Sequence, residues 1–330
     1  MNPAPVRALR LPAPAKLNLF LHITGRRADG YHELETLFLF LDHGDELTLR
    51  RRDDGAITRI HGPAAVAPAS DLCLRAARAL QIRCEVDAGV DIGLHKRLPM
   101  GGGVGGGSSD AATVLVGLNR LWGCALDEQA LADLALGLGA DVPVFVRGRA
   151  AFAAGVGERL SPVCLPQRWF LVLGPPVQVS TAGVFGNPSL TRNTKPLKIG
   201  GFPWSTDPDA ALDALWRRTR NDCEPVVCAS EPQVARARDW LQRHAPARMT
   251  GSGACVFAML RSEQEARELA GAACRELGAG GPGAEEPGAA GGGSDTADAR
   301  ARAGLTSFVA RGVNRSPLQR VMVEDGGNSQ

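Results

Sequence analysis

The pattern of apolar and polar positions divides this chain into strands and helices before any motif is considered. Over residues 11–23 (LPAPAKLNLFLHI), Leu17, Leu19 and Leu21 fall on one face and Lys16, Asn18 and Phe20 on the other, which predicts a strand after a proline-rich entry. Residues 24–30 read as a polar turn, followed by Tyr31 and His32; 33–41 and 45–51 alternate as two further strands. Asp71 opens a helix over 72–82, and Val90, Ile92 and Leu94 mark another strand. A helix over 127–138 breaks at Ala140-Asp141-Val142-Pro143, and 144–146 resumes as a strand. Beyond residue 160 the pattern gives strands at 169–173, 256–260 and 307–313 and helices at 207–218, 233–244 and 263–276. Without a regular βαβ alternation, the expected fold class is α+β, in two lobes over 1–160 and 161–330 with the active site in the cleft between them. Residues 278–298 are rich in Gly, Ala and Pro without periodicity and read as a disordered insertion in the second lobe.

One segment stands apart from this pattern. Pro99-Met100-Gly101-Gly102-Gly103-Val104-Gly105-Gly106-Gly107-Ser108-Ser109-Asp110 carries six glycines in seven positions, and an apolar helix surface follows through Ala111, Ala112, Val114, Leu115, Leu118, Leu121 and Trp122. Ser108, Ser109 and Asp110 are good N-cap types, so a glycine loop is expected to feed a helix N-terminus there. Free amides and the positive end of the helix dipole on one spot suit a polyphosphate. No Gly-Lys-Ser/Thr follows, which excludes a Walker loop. Gly101, Gly103 and Gly106 formally match a dinucleotide fingerprint, but that reading needs an acid at a strand end about 20 residues on. Asp127 has roughly that spacing and instead lies beyond Gly123, at the start of the next helix. A phosphate cradle is the better reading.

Composition narrows the classes further. A chain of 330 residues with 44% hydrophobic content has ample material for a core. A net charge of +2 and 5% aromatics leave no basic stripe for nucleic acid. No apolar run is long enough for a bilayer, and the N-terminal residues carry no secretory pattern. Eight scattered cysteines without a C-x-x-C pair read as free thiols in a cytoplasmic protein, not as a zinc site. Of 37 basic residues only Lys16, Lys96, Lys195 and Lys198 are lysine, so each lysine is a candidate for needing a compact ammonium group.

Five segments, PAKLNLFLHITGRRADGYHELETLF from Pro14, KRLPMGGGVGGGSSDAA from Lys96, LGADVPVFVRGRAAFAAGVGE from Leu138, RNDCEP from Arg220 and TGSGACVFA from Thr250, together resemble the GHMP small-molecule kinases over nearly the whole chain. The segments are most similar to members acting on a cytidine-diphosphate-linked methylerythritol. The resemblance implies a two-lobed fold, ATP held by the 99–109 loop, Mg2+, and a small-molecule substrate bound by a monomer or homodimer. It also implies that Asp141 takes the proton of the attacking hydroxyl while Lys16 stabilises charge developing on the phosphoryl group. Such a division makes physical sense, since phosphoryl transfer needs positioning and charge neutralisation more than covalent help. By the same resemblance Tyr31 and Phe185 stack on cytosine, His32 reads its edge, and Asn18 and Thr181 offer polar contacts. The chain departs from the general family loop by its extra glycines and Val104 at the leucine position, and Asp110 stands where a small residue is usual. No magnesium ligand is therefore assigned, and the ion is expected to rest mainly on ATP phosphates and water.

Overall fold

The strand carrying Lys16 is longer than its alternation predicts. The computed structural model describes residues 7–64, 66–197, 204, 206–278, 304–320 and 322. In it β1 (Ala8–Arg26) runs antiparallel to β2 (His32–Arg52), so the turn shrinks to the residues between Arg26 and His32. The two strands expected at 33–41 and 45–51 are one, because the β1 ladder continues through Pro14↔Gly44 and Ala13↔Asp45. Asp45 does not break the strand: its buried Oδ1 accepts the amides of Arg97 and Leu98 at 2.6 and 2.8 Å.

β2 is the hub of the molecule. It pairs with β1, with β4 (Gly89–His95), with β5 (Ala151–Ala154) and, through Leu41 and Phe40, with β10 (Thr306–Val313). β3 (Ile57–His61) lies parallel to β4, and β6 (Arg159–Pro162) extends β5. β10 also pairs with β7 (Trp169–Gly174), followed by β9 (Val256–Leu260) and β8 (Ala247–Met249), giving the order β3-β4-β2-β10-β7-β9-β8. Four helices belong to the first half: α1 (Leu72–Cys84), α2 (Gly106–Leu121), α3 (Glu128–Leu136) and α4 (Val142–Arg147). α5 (Thr181–Gly186), α6 (Pro208–Arg218), α7 (Glu224–Ser230), α8 (Pro232–Gln242) and α9 (Glu263–Leu277) follow. The fold is α+β, as the pattern requires.

Local chemistry sets the helix ends. Asp71 caps α1 by accepting the amides of Cys73 and Leu74, Asp127 caps α3, and Ser262 forms a capping box with Glu265 on α9. One core joins Leu11, Phe40, Leu49, Ile92, Leu115 and Phe145 under α1–α4; another joins Leu171, Val227, Trp240, Leu241 and Val256 under α7–α9. Each such side chain contributes about 1.5–3 kcal/mol on burial.

Two further expectations change. Residues 144–146 belong to α4 instead of a strand: Pro143 falls in the first helical turn, where its missing N–H is not needed. Residues 108–110 do not cap α2, which starts at Gly106 with Gly105 in the cap position, so both serines and Asp110 lie inside the helix. The proposed insertion at 278–298 lies outside the described residues except for Gly278, the C-cap of α9.

Candidate active site

Three segments distant in sequence are stitched together by backbone. The β1–β2 ladder shifts register between Pro14 and Lys16, and the Lys16 amide turns to the Val104 carbonyl at 2.9 Å. The Gly102 carbonyl accepts the Cys255 amide at 2.9 Å, and the Asn18 amide donates to Thr250 Oγ1 at 2.9 Å. The glycine loop is thus clamped between β1 and the turn that precedes β9. Gly103, at φ +75°, lies so close to that turn that a Cβ would sit 2.4 Å from the Thr250 carbonyl oxygen.

This clamp holds the Lys16 side chain, only 2% exposed, with Nζ 3.2 Å from Asp141 Oδ2 and 3.2 Å from the Gly103 carbonyl oxygen. Nζ also donates to Asn18 Oδ1 and lies 5.3 Å from the Phe38 ring centre. Asp141 occupies the cap position of α4, but its side chain makes no capping bond and stays 40% exposed. It is therefore a carboxylate held by an ammonium group and open to a cavity of about 960 Å³.

On another wall of that cavity α2 begins. Its first intrahelical bond runs from the Ser109 amide to the Gly105 carbonyl, and the amides of Gly106, Gly107 and Ser108 have no acceptor among the described residues. Beneath them lies an ion triad missed by sequence reasoning. Lys96 Nζ contacts Asp45 Oδ2 and lies 2.9 Å from Asp110 Oδ2. Although burial opposes it, the Asp110 and Asp45 carboxylates hold the Lys96 ammonium above its ordinary range. Burial raises the Asp110 carboxyl, Lys96 pulls it down and Asp45 pushes it up, which together hold it at about 7. Arg59, paired with Asp71 at 2.6 Å, completes this end of the cavity. The scarcity of lysine pointed to Lys96, but no local pattern linked it to residues 45 and 110.

Aromatic residues also line the cavity. Tyr31 is 65% exposed, and the His32 and Phe185 rings lie 5.1 Å apart at 41°. Thr181, at the start of α5, shares a 2.8 Å hydroxyl contact with Ser252. Of the residues singled out from sequence, Lys16, Asn18, Tyr31, His32, Asp141, Thr181 and Phe185 line this one cavity. So do Pro99, Met100, Gly101, Gly102, Gly103, Gly105, Gly106, Gly107 and Ser108. Val104 and Ser109 do not: Val104 is buried in the core beside Leu98 and Cys255, and Ser109 is buried inside α2. Among the described residues no helix is long and apolar enough to cross a membrane.

Comparison with known proteins agrees with this geometry. Residues 71–149 match the GHMP kinases N terminal domain and residues 207–279 the GHMP kinases C terminal domain. The chain is 50% identical over 316 residues to a 4-diphosphocytidyl-2-C-methyl-D-erythritol kinase of Halorhodospira halophila, covering 95% of this chain and 96% of that one. It is 51% identical to the protein of the same name from Ectopseudomonas mendocina, covering 94% of each. A crystal structure of 4-(cytidine 5'-diphospho)-2C-methyl-D-erythritol kinase superposes with a TM-score of 0.69 at 31% identity, covering 92% of this chain and 99% of that one. With this similarity along almost its whole length, the chain belongs to the GHMP kinases, in the family of the 4-diphosphocytidyl-2-C-methyl-D-erythritol kinases.

Proposed function

We propose that this enzyme transfers the γ-phosphoryl group of ATP to the 2-hydroxyl of 4-diphosphocytidyl-2-C-methyl-D-erythritol, a step of isoprenoid precursor synthesis. The observation that carries the reading is the Lys16–Asp141 pair at 3.2 Å, in a cavity also lined by the unpaired amides that begin α2 and by Tyr31, His32 and Phe185. Asp141 accepts the hydroxyl proton as the oxygen attacks the γ-phosphorus. The bond to the β-phosphate oxygen breaks, and ADP departs with the electron pair. Lys16 lies beside the reacting oxygens, and the amides of Gly106, Gly107 and Ser108 hold the phosphates. The first lobe (1–160) supplies the ATP loop and the catalytic pair, and the second (161–330) supplies Thr181 and Phe185.

The residues present fit a magnesium ion carried mainly by the nucleotide. The cavity offers it the Ser108 hydroxyl, and among the described residues no group of three or more His, Cys, Asp or Glu side chains could hold a metal. When bound with ATP, the ion neutralises phosphate charge.

ADP release tests the assignment. Turnover is expected with the cytidylyl substrate and close to background with methylerythritol phosphate, mevalonate or homoserine, because contacts to the remote base position the reacting end. Equal use of the truncated alcohol would remove the cytidylyl assignment. Tyr31→Ala should weaken substrate binding by about 1–3 kcal/mol, the range for one base–aromatic stack, with the KM for ATP little changed.

The loop has its own test. Gly103 needs a left-handed backbone and abuts the Thr250 and Gly253 carbonyl oxygens, so Gly103→Val adds both strain and a backbone clash. The strain alone is about 1–2 kcal/mol, so the KM for ATP should rise about tenfold or more. A variant that folds and binds ATP normally would show that the loop does not cradle the nucleotide.

A further inference from the structure

His32 has a neighbour not used so far. Arg192, on the segment after α5, directs Nε to His32 Nε2 at 3.1 Å. Its two terminal nitrogens donate to the carbonyls of Leu190 at 3.1 Å, Phe185 at 2.9 Å and Asn187 at 2.7 Å. The guanidinium is therefore locked onto the segment that carries Phe185, with its Nε–H turned to the imidazole. A guanidinium only donates, so the ring nitrogen it meets is the one without a proton. Burial, then the charges of Arg192 and Arg26, push the His32 pKa down, which keeps the ring neutral near pH 7. A neutral ring that accepts at Nε2 carries its single proton on Nδ1. Nδ1 has no partner among the described residues, and the ring lines the cavity against Phe185.

We propose that Arg192 is the positioning residue that fixes His32 as the Nδ1–H tautomer, so that the ring presents a hydrogen-bond donor to the acceptor edge of the substrate's pyrimidine. The substrate part rests on the function proposed above; the tautomer does not. Cytosine presents adjacent acceptors at its ring nitrogen and carbonyl, which a donor of fixed position can meet. An unconstrained imidazole would divide its proton between both nitrogens.

Two-bond proton–nitrogen correlation spectra of the ligand-free protein read the tautomer directly. Wild type is expected to show His32 protonated at Nδ1; Arg192→Met should shift it toward Nε2, and Arg192→Lys, which keeps a donor, should restore part of the wild-type pattern. The KM for the cytidylyl substrate should rise about three- to tenfold in Arg192→Met, the worth of one hydrogen bond, with kcat and the KM for ATP within twofold. His32→Asn, whose amide N–H needs no tautomer, should make Arg192→Met nearly silent. A purely structural Arg192 would leave the tautomer unmoved and act equally in both backgrounds. A wild-type ring protonated at Nε2, or a tautomer unchanged in Arg192→Met, overturns the proposal whatever the substrate. Absence of turnover with the cytidylyl substrate, alongside the expected spectra, would instead remove the functional reading and leave the tautomer assignment standing.

Discussion

Asp141→Asn is expected to lower kcat by about 10²–10⁴-fold, the usual effect of losing a general base, while ATP still binds. The substitution is a clean one in this fold. The Asp141 side chain caps nothing at the start of α4, so an amide of the same shape leaves the helix as it was. Lys16 keeps its bonds to Asn18 Oδ1 and the Gly103 carbonyl, so the glycine loop retains its place when the Asp141 charge is removed. What disappears is the capacity to take a proton. Lys16→Ala should act in the same direction by removing the ammonium beside the transferred group. The double variant should lose less than the product of the two single losses, because paired residues act as one unit. Steady-state kinetics on the three variants check this, with nucleotide binding measured separately. Strictly multiplicative losses would show that the two side chains work independently, and near-normal turnover in Asp141→Asn would end its role as base.

The sequence made some of this geometry readable and hid the rest for identifiable reasons. Caps at Asp71, Asp127 and Ser262 are local, and the helices they begin lie where the pattern puts them. α4 was hidden because five apolar residues rich in valine before Arg147, in VPVFVR, carry no helical period and favour a strand by composition. The start of α2 was misplaced because capping rules seek a side-chain acceptor. Here the end has none, and the first amides are left open to the cavity. Lys16 and Asp141 were paired through family resemblance, not through any spacing rule. No pattern along the chain marks Arg192, whose partners are the His32 imidazole at the start of β2, the Phe185 carbonyl in α5 and two carbonyls of its own loop. Side chains that meet across elements are set by strand register and helix placement, and a linear pattern does not contain these.

Lys96→Met should destabilise the nucleotide-free protein by about 3–5 kcal/mol, the cost of removing one partner from a buried ion pair. The ammonium lies between Asp45, which is fully buried and already accepts two backbone amides, and Asp110, whose Oδ1 is buried with no hydrogen-bond partner. Without it, two carboxylates face each other in the interior beneath α2. Asp110→Asn should act in the opposite sense. A carboxyl held at about 7 in the folded chain and near its ordinary 3.8 when unfolded binds an extra proton on folding between those values. The stability that proton confers is present at the acid end and is lost as pH rises through about 7. The loss is at most about 1.4 kcal/mol per pH unit. Asparagine carries no such proton, so Asp110→Asn should flatten the stability curve between pH 4 and 7 and match or exceed wild type at higher pH. In the Lys96→Met background it should recover part of the lost stability, since only one carboxylate then remains uncompensated. Urea unfolding of the four proteins across that pH range separates these terms. A Lys96→Met variant as stable as wild type, or an Asp110→Asn curve parallel to wild type, would show that the triad's charges are not coupled to folding in this way.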